Sequence, residues 1–143
     1  MLHFKIATPE RIMLETDVNS LTLPTALGEI TVLPGHIPLV SNLVAGEIRY
    51  KAGGKESFFA VSGGVIEVRK NGEVVILADS AEFGHEIDVK RAEEARERAH
   101  QLMSQTRKDE KTFADASAVL QKNLARIKVA KKHHTHNRPH MEQ

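Results

Sequence analysis

The sequence predicts an α+β protein in two parts, an N-terminal antiparallel β-sandwich followed by a C-terminal α-helical hairpin. All nine glycines lie in the stretch from Gly28 to Gly84, and no proline occurs between Gly84 and Pro139. Glycine and proline mark the turns between short strands, and their absence lets a helix continue. Apolar residues alternate with polar ones in the first part and recur every three or four positions in the second.

These observations divide the 143-residue chain into three segments. Residues 1–84 are predicted to form the β-sandwich, residues 85–132 the two-helix hairpin, and residues 133–143 a flexible histidine-rich tail. Residues 1–84 carry 7 basic and 10 acidic side chains, whereas residues 85–143 carry 13 basic and 9 acidic ones. A basic C-terminal part is typical of proteins with an anionic partner (nucleic acid, lipid headgroups, a nucleotide or an acidic protein surface), and equally of a solvated helical tail.

The composition excludes several classes of protein. The chain has no cysteine, which rules out disulfides, thiolate metal sites and thiol catalysis. No apolar run approaches the roughly 20 residues that span a bilayer, and the residues after Met1 lack the apolar core of a secretory signal. We therefore expect a protein of the cytoplasmic side.

Period-two alternation predicts the strands of the sandwich. Leu2, Phe4 and Ile6 share one face of the first strand. Further strands are predicted at Leu21–Leu23, Ile30–Val32, Glu47–Lys51, Phe58–Val61, Val65–Arg69 and Val74–Leu77. Many short strands without an intervening helix favour an antiparallel sandwich or barrel over a parallel sheet. The last two strands are apolar on both faces, so we expect their hairpin to lie between two layers.

Glycine, asparagine and proline place the turns. Asn71-Gly72 predicts a type I′ turn, and Gly53-Gly54 predicts a similar one. The segment Leu33–Leu39 cannot be strand throughout, because its two prolines remove backbone donors. Ser62-Gly63-Gly64 lacks the lysine and the following helix of a phosphate-binding loop, so we expect a bulge or a turn there.

Two helices are predicted after the sandwich. Asp88 is a good N-cap for the first helix, and the second begins near Asp109 after a polar break that starts at Thr106. The first helix carries a stripe of mainly small residues: Ala92, Ala95, Ala99 and Leu102. The second carries an apolar seam: Phe113, Ala116, Leu120, Leu124 and Ile127. Because alanine buries little apolar surface, we expect the antiparallel pair to be marginal and able to exchange one packing for another.

Basic side chains on the two helices form a candidate anion site. Arg91 and Arg98 are seven residues apart and project nearly in line, and Arg126 stands beside Lys122 on the second helix. Folded together, the helices would gather these cations around one polyanion, and guanidinium groups suit phosphate oxygens. The alternative is that they are ordinary surface cations paired with glutamates of their own helix.

Three segments make the chain similar to the epsilon subunits of F-type ATP synthases. They are residues 28–39 (Gly-Glu-Ile-Thr-Val-Leu-Pro-Gly-His-Ile-Pro-Leu), 61–68 (Val-Ser-Gly-Gly-Val-Ile-Glu-Val) and 87–92 (Ile-Asp-Val-Lys-Arg-Ala). The resemblance extends to about Lys132. It implies a non-catalytic subunit of the proton-translocating ATP synthase, peripheral to the cytoplasmic face of the cell membrane.

The resemblance also implies partners and a mechanism. The sandwich would dock on the central stalk, between the gamma subunit and the membrane c-ring. The hairpin would either fold down on the sandwich or extend along the stalk to the alpha and beta subunits, where it blocks ATP hydrolysis.

The Ile-Asp-x-x-Arg-Ala segment resembles the ATP-binding motif of bacterial members. By position, four residues would lie on the adenine side: Glu82, Ile87, Asp88 and Ala92. Three guanidinium groups would hold the phosphates: Arg91, Arg98 and Arg126. Strong binders have a further arginine where this chain has Lys122. ATP, with or without Mg²⁺, would be a regulatory ligand that stabilises the folded hairpin.

Other functions stay open at this level. Within the family, the chain would alternatively be a constitutive inhibitor that ATP hardly affects. A nucleic-acid-binding module based on the basic second helix is disfavoured by the low aromatic content and the nearly balanced charge. An enzyme in its own right would need a nucleophile, base and orienting acid, for which the sequence offers no constellation. The histidines between His133 and His140 would bind a divalent metal or, as we expect, belong to a mobile extension.

Overall fold

The computed structural model describes residues 1–105 and 109–136, and it confirms the α+β class. Eight strands lie within the described residues: β1 (Leu2–Ala7), β2 (Ile12–Val18), β3 (Ser20–Thr25), β4 (Gly28–Val32), β5 (Leu39–Ala52), β6 (Lys55–Val68), β7 (Glu73–Ala78) and β8 (Ala81–Phe83). A 3₁₀ turn (Gly84–Glu86) then leads to the helices α1 (Val89–Gln105) and α2 (Glu110–His136).

The strands form one hydrogen-bonded path that folds over into two layers. The order is β2-β1-β7-β6-β5-β3-β4. Strand β8 pairs with residues 59–61 of β6, next to the stretch of β6 that pairs with β7. Side chains of β1, such as Phe4, and of β3, such as Leu21 and Leu23, share one buried core although their strands lie far apart on this path. This closure makes the sheet a sandwich. The antiparallel prediction is wrong for one pair, since β1 and β7 are parallel; strands so distant in sequence have the long connection that parallel pairing needs.

Strand β6 is continuous where the sequence predicted two strands. Its pairing with β5 keeps one register through Gly63 and Gly64, and its pairing with β7 begins at Gly64, so the predicted bulge or turn at Ser62-Gly63-Gly64 is wrong. A Cβ at Gly64 would overlap the carbonyl oxygen of Leu77. The glycine therefore permits close approach of the neighbouring strand rather than a reversal of the chain.

The two predicted glycine turns differ in type. Gly53 and Gly54 have φ +58° and +77° and form a two-residue turn between β5 and β6, as predicted. The turn between β6 and β7 is a three-residue loop, residues 70–72, between the paired Arg69 and Glu73; in it Gly72 has φ +85° and Asn71 keeps a negative φ. The backbone N–H of Arg69 closes the loop by donating to the carbonyl of Glu73. This arrangement is typical of a type I turn with a bulge, so the type I′ prediction is wrong.

The β6–β7 hairpin has one buried face. Ile66, Val74 and Ile76 are fully buried, whereas Val65 is 44% exposed and Leu77 is 58% exposed. The prediction that this hairpin lies between two layers is therefore wrong. Its outer face leaves apolar side chains at the surface of the sandwich.

Charged side chains join β1 to the edge strand β2. The Nε2 of His3 lies 2.9 Å from a carboxylate oxygen of Glu15, and its Nδ1 lies 3.0 Å from one of Asp17. These hydrogen bonds, first to Glu15 and then to Asp17, raise the pKa of His3 above its usual value. The protonated ring donates from both nitrogens, which suits a site between two carboxylates.

Both helices begin at the predicted aspartates. Asp88 accepts a hydrogen bond from the backbone N–H of Arg91 at 3.1 Å, and Asp109 accepts from Lys111 and Thr112 at 3.2 and 3.3 Å. Such caps satisfy the backbone donors of the first helical turn.

The far end of the hairpin differs from the prediction. Helix α2 continues to His136, four residues beyond the predicted end of the hairpin at Lys132. The predicted polar break falls largely on residues 106–108, and the remainder of the tail on residues 137–143; both lie outside the described residues.

The buried face of α2 differs in part from the predicted seam. Ala92 and Ala99 of α1 and Ala116 of α2 are buried, in agreement with a shallow alanine contact. Phe113 and Leu124 of the seam are 37% and 40% exposed. Ile127 of the seam is buried, but so are four residues outside the seam: Asn123, Ala125, Val129 and Ala130. The apolar seam predicted the contact of α2 with α1, and the structure shows that α2 packs on the sandwich as well.

Candidate functional site

The C-terminal half of α2 meets the sandwich at a separate apolar cluster. This junction cluster consists of Phe58 and Ala60 of β6, Ile87 between the 3₁₀ turn and α1, and Val129 and Ala130 of α2. It is distinct from the main core between the two layers of the sandwich. The contact of α2 with the sandwich therefore has its own set of buried apolar side chains.

Gly84, the first residue of the 3₁₀ turn, allows α2 to pack directly on the backbone there. A Cβ at this position would lie 3.3 Å from the Cβ of His133 and 3.3 Å from a methyl carbon of Val129. Contacts of that length are tighter than ordinary van der Waals separation, so even one methyl group at residue 84 would press on the helix.

An arginine–carboxylate pair borders the junction cluster on one side. The Nε and Nη2 of Arg126 donate to the two carboxylate oxygens of Glu82 at 2.6 and 3.2 Å. The Nη1 of Arg126 donates to the side-chain oxygen of Asn123 at 2.8 Å. Asn123 is itself buried and donates to the carbonyl of Val119. The guanidinium group is thus held in a bidentate geometry and supported by a second side chain.

A lysine–carboxylate pair borders the cluster on the other side. The Nζ of Lys132 donates to Oε1 of Glu47 at 2.8 Å, and Arg49 lies 3.8 Å from the same oxygen. The Glu47 side chain is 5% exposed, and its Oε2 is buried with no hydrogen-bond partner among the described residues. Lys132 also lies 5.9 Å from the centre of the Phe58 ring, within the range of a cation–π contact.

The structure brings some of the predicted ATP-site residues together. Glu82 and Arg126 form the bidentate pair. Ile87 belongs to the junction cluster, and Ala92 is fully buried. Asp88 caps α1, and its carboxylate lies 3.7 Å from Arg91, whose side chain is 83% exposed.

The predicted phosphate ligands Arg98, Lys122 and Arg126 have different surroundings. Arg98 borders a groove of about 240 Å³ between the helices, lined also by Ala95, Ala99 and Asp115. Within the described residues, no carboxylate pairs with Arg98 or Lys122. The fork of Arg126 is occupied by Glu82, so a phosphate at this position would have to displace a carboxylate.

Sequence reasoning missed Glu47, Asn123 and the role of Lys132. Alternation places Glu47 on the outer face of β5, where a charged residue is expected to be solvated. The outer face is covered there by α2, whose Lys132 lies 85 positions later in the chain. The only sequence signal is local: Asn123 and Arg126 are three residues apart and so lie on one side of a helix.

Comparison with known protein families assigns both parts of the chain. Residues 1–84 match the family described as ATP synthase, Delta/Epsilon chain, beta-sandwich domain. Residues 85–131 match its partner, described as ATP synthase, Delta/Epsilon chain, long alpha-helix domain. The chain belongs to the ATP synthase delta/epsilon family.

Individual members of this family are similar over most of their length. The ATP synthase epsilon chain of Nitratidesulfovibrio vulgaris strain DP4 is 44% identical over 128 residues, which cover 90% of this chain and 94% of that one. The epsilon chain of Halalkalibacterium halodurans is 40% identical over 129 residues, covering 90% and 96%. A chain in the cryo-EM structure of the Euglena gracilis mitochondrial ATP synthase (OSCP/F1/c-ring, rotational state 1) superposes with a TM-score of 0.78 at 25% identity, covering 94% of this chain and 81% of that one.

In this member of the family, neither described helix combines the length and the apolar composition that crossing a membrane requires.

Proposed function

We propose that this epsilon-family chain docks on the central stalk of the ATP synthase through its sandwich and regulates ATP hydrolysis through its hairpin. In the folded position, described here, α2 rests on the sandwich. In the extended position, the helices reach the alpha and beta subunits and block hydrolysis. The observation that carries this proposal is the junction between α2 and the sandwich, which is small and separate from the main core.

The surface of the hairpin supports a second position for the helices. Phe113, Val119 and Leu124 of α2 are 37%, 44% and 40% exposed in the folded arrangement. Between the helices the buried contact consists mainly of alanines, which contribute little apolar area. The folded position thus leaves larger apolar side chains unburied, and a second binding surface would bury them.

The outer face of the sandwich offers a surface for stalk docking. Val65 of β6 lies opposite Leu77 of β7, Leu77 opposite Ala7 of β1, and Ala7 opposite Ile12 of β2. Three of these four side chains are exposed by 44% or more, and they form an apolar row across four strands. Exposed apolar patches of this kind mark interaction sites. We assign this row to the gamma subunit, with the c-ring next to the same domain, which would make the chain a peripheral part of a membrane complex.

ATP is the proposed ligand of the folded hairpin, with or without Mg²⁺. Arg91 and Arg98 project from α1 with solvent-exposed side chains, and Arg126 adds a guanidinium group from α2. A ligand that binds the folded arrangement alone stabilises it by RT ln(1 + [L]/Kd), or about 2.7 kcal/mol at 100 times the Kd. That amount is enough to shift an equilibrium between states a few kcal/mol apart.

The test compares Arg91→Ala with the matched control Arg96→Ala, both on α1. Hydrogen bonds to charged groups contribute about 1.5–3 kcal/mol, so Arg91→Ala is expected to weaken ATP binding about tenfold or more by calorimetry. Arg96→Ala is expected to leave the ATP affinity unchanged, and both variants keep the circular dichroism of a folded sandwich. An ATP affinity that is the same in both variants refutes the assigned site.

A constitutive inhibitor is the second candidate function. The specific observation in its favour is that Glu82 of the chain itself fills the fork of Arg126. Under this alternative, the chain's own carboxylates hold the folded position, and ATP adds nothing. The two candidates separate when ATP is titrated into the isolated chain carrying a fluorophore pair on the sandwich and on α1: compaction with ATP supports the sensor, and an unchanged distance supports the constitutive inhibitor.

A further inference from the structure

We propose that the pairs Arg126–Glu82 and Lys132–Glu47 form a two-point ionic latch that holds α2 on the sandwich. The latch must open before the hairpin leaves the sandwich, so it sets the resting balance between the two positions. This inference rests on the proposed mobility of the hairpin.

The geometry fits a latch because the two pairs lie on either side of the junction cluster. Arg126 and Lys132 are six residues apart, which corresponds to about 9 Å along the helix axis. Their carboxylate partners come from different strands, Glu82 from β8 and Glu47 from β5. Two such points fix both the axial position and the rotation of α2, which the small apolar contact of Val129 and Ala130 does not fix alone.

The two partners of the Lys132–Glu47 pair differ in the effect that neutralising each of them has on docking. Glu47 is buried while α2 is docked, and one of its oxygens has no partner among the described residues. Removing Lys132 leaves this carboxylate buried with Arg49 as its remaining nearby cation, at 3.8 Å. An uncompensated buried charge is strongly unfavourable, whereas removing both partners of such a pair is far less so. The docked state therefore depends on Lys132 more than on Glu47.

The experiment measures hydrogen exchange of the α2 amides in the nucleotide-free full chain. Lys132→Met is expected to raise the undocked population at least roughly tenfold, and Glu47→Gln less. The double variant Lys132→Met/Glu47→Gln is expected to show a smaller rise in the undocked population than Lys132→Met alone, because it buries no unpaired charge. Lys128→Met is the matched control, since Lys128 is exposed on the same helix and forms no ion pair among the described residues. Unchanged exchange of the β7 amides verifies that the sandwich stays folded.

Three results would overturn the latch. The first is an α2 exchange rate in Lys132→Met equal to that in Lys128→Met. The second is a double variant whose effect equals the sum of the two single effects, which would show that Lys132 and Glu47 act independently. The third is an unchanged exchange rate in Glu82→Gln, because the two-point form requires that pair as well.

A second measurement separates the latch from the proposed function. The same Lys132 and Glu47 variants are assembled into the complete ATP synthase, and ATP hydrolysis is measured. Faster α2 exchange with stronger inhibition supports both. Faster exchange with unaltered hydrolysis supports the latch and refutes the regulatory function, whereas unaltered exchange with altered hydrolysis refutes the latch alone.

Discussion

Substituting Val129 by alanine tests whether α2 docks independently of the sandwich. Val129 is fully buried in the junction cluster. The change removes two methyl groups, worth about 0.8 kcal/mol each by transfer, and the cavity left behind adds to this cost. Alanine favours the helix over valine by up to about 0.7 kcal/mol, which offsets part of the loss if α2 frays when undocked. The net cost is therefore about 1.5 kcal/mol, or roughly a tenfold rise in the undocked population.

The matched control is Val74→Ala, because Val74 is an equally buried valine in the main core. Hydrogen exchange followed by NMR is expected to show faster exchange of the α2 amides in Val129→Ala, while the β6 and β7 amides keep their protection. In Val74→Ala the strand amides lose protection. If Val129→Ala accelerates exchange of the strands and of α2 equally, the helix and the sandwich form one cooperative unit and the reasoning fails.

Two further predictions concern the sandwich. The pKa of His3 is raised above 6.5, chiefly by its hydrogen bond to Glu15, so the stabilisation of the fold by protonated His3 is complete below pH 6.5 and is lost as the pH rises through the raised pKa. An NMR titration should show the pKa of His3 falling towards its usual value in Glu15→Gln. An equal pKa of His3 in this variant and in the unchanged protein would contradict this. Gly64→Ala combines an unfavourable φ of +145° with overlap onto the neighbouring strand, so it should lower the free energy of unfolding by about 3–5 kcal/mol. Gly35→Ala, where φ is +88° but nothing lies within 4 Å of the added Cβ, should cost about 1–2 kcal/mol; equal costs in urea unfolding would exclude the overlap as a cause.

The sequence predicted those parts of the fold whose signals are local. Alternation located β1, β3 and β4, a continuous apolar run located β7, and the aspartates at 88 and 109 marked the starts of both helices. The edge strand β2 was missed, because apolar and polar residues do not alternate regularly in its sequence, in keeping with its irregular burial and its exposed first residue, Ile12. Strand β8 is three residues long, which is too short for a periodicity. The glycines in β6 were misread because glycine in a sequence signals a break as readily as a close approach.

The candidate site was harder to predict, because its contacts join distant parts of the chain. Arg126 was chosen as a phosphate ligand, yet its partner Glu82 lies 44 positions away and is itself one of the predicted site residues. Nothing in the periodicity of α2 indicates which outer surface of the sandwich it covers. Glu47 and Lys132 were therefore not recognised as a pair, although each residue taken alone follows the pattern of its strand or helix. The ATP site itself stays a prediction.

Helix α2 contributes to two interfaces, one with α1 and one with the sandwich, whereas α1 packs chiefly on α2. A substitution on the buried sides of α2 consequently perturbs the helix–helix contact, the contact with the sandwich, or both. A substitution on the outward side of α1 perturbs neither. Natural variation should therefore be distributed unevenly over the hairpin. Apart from Arg91 and Arg98 of the proposed ATP site, α1 should diverge freely on its outer side, whereas α2 should change only in step with the strands beneath it.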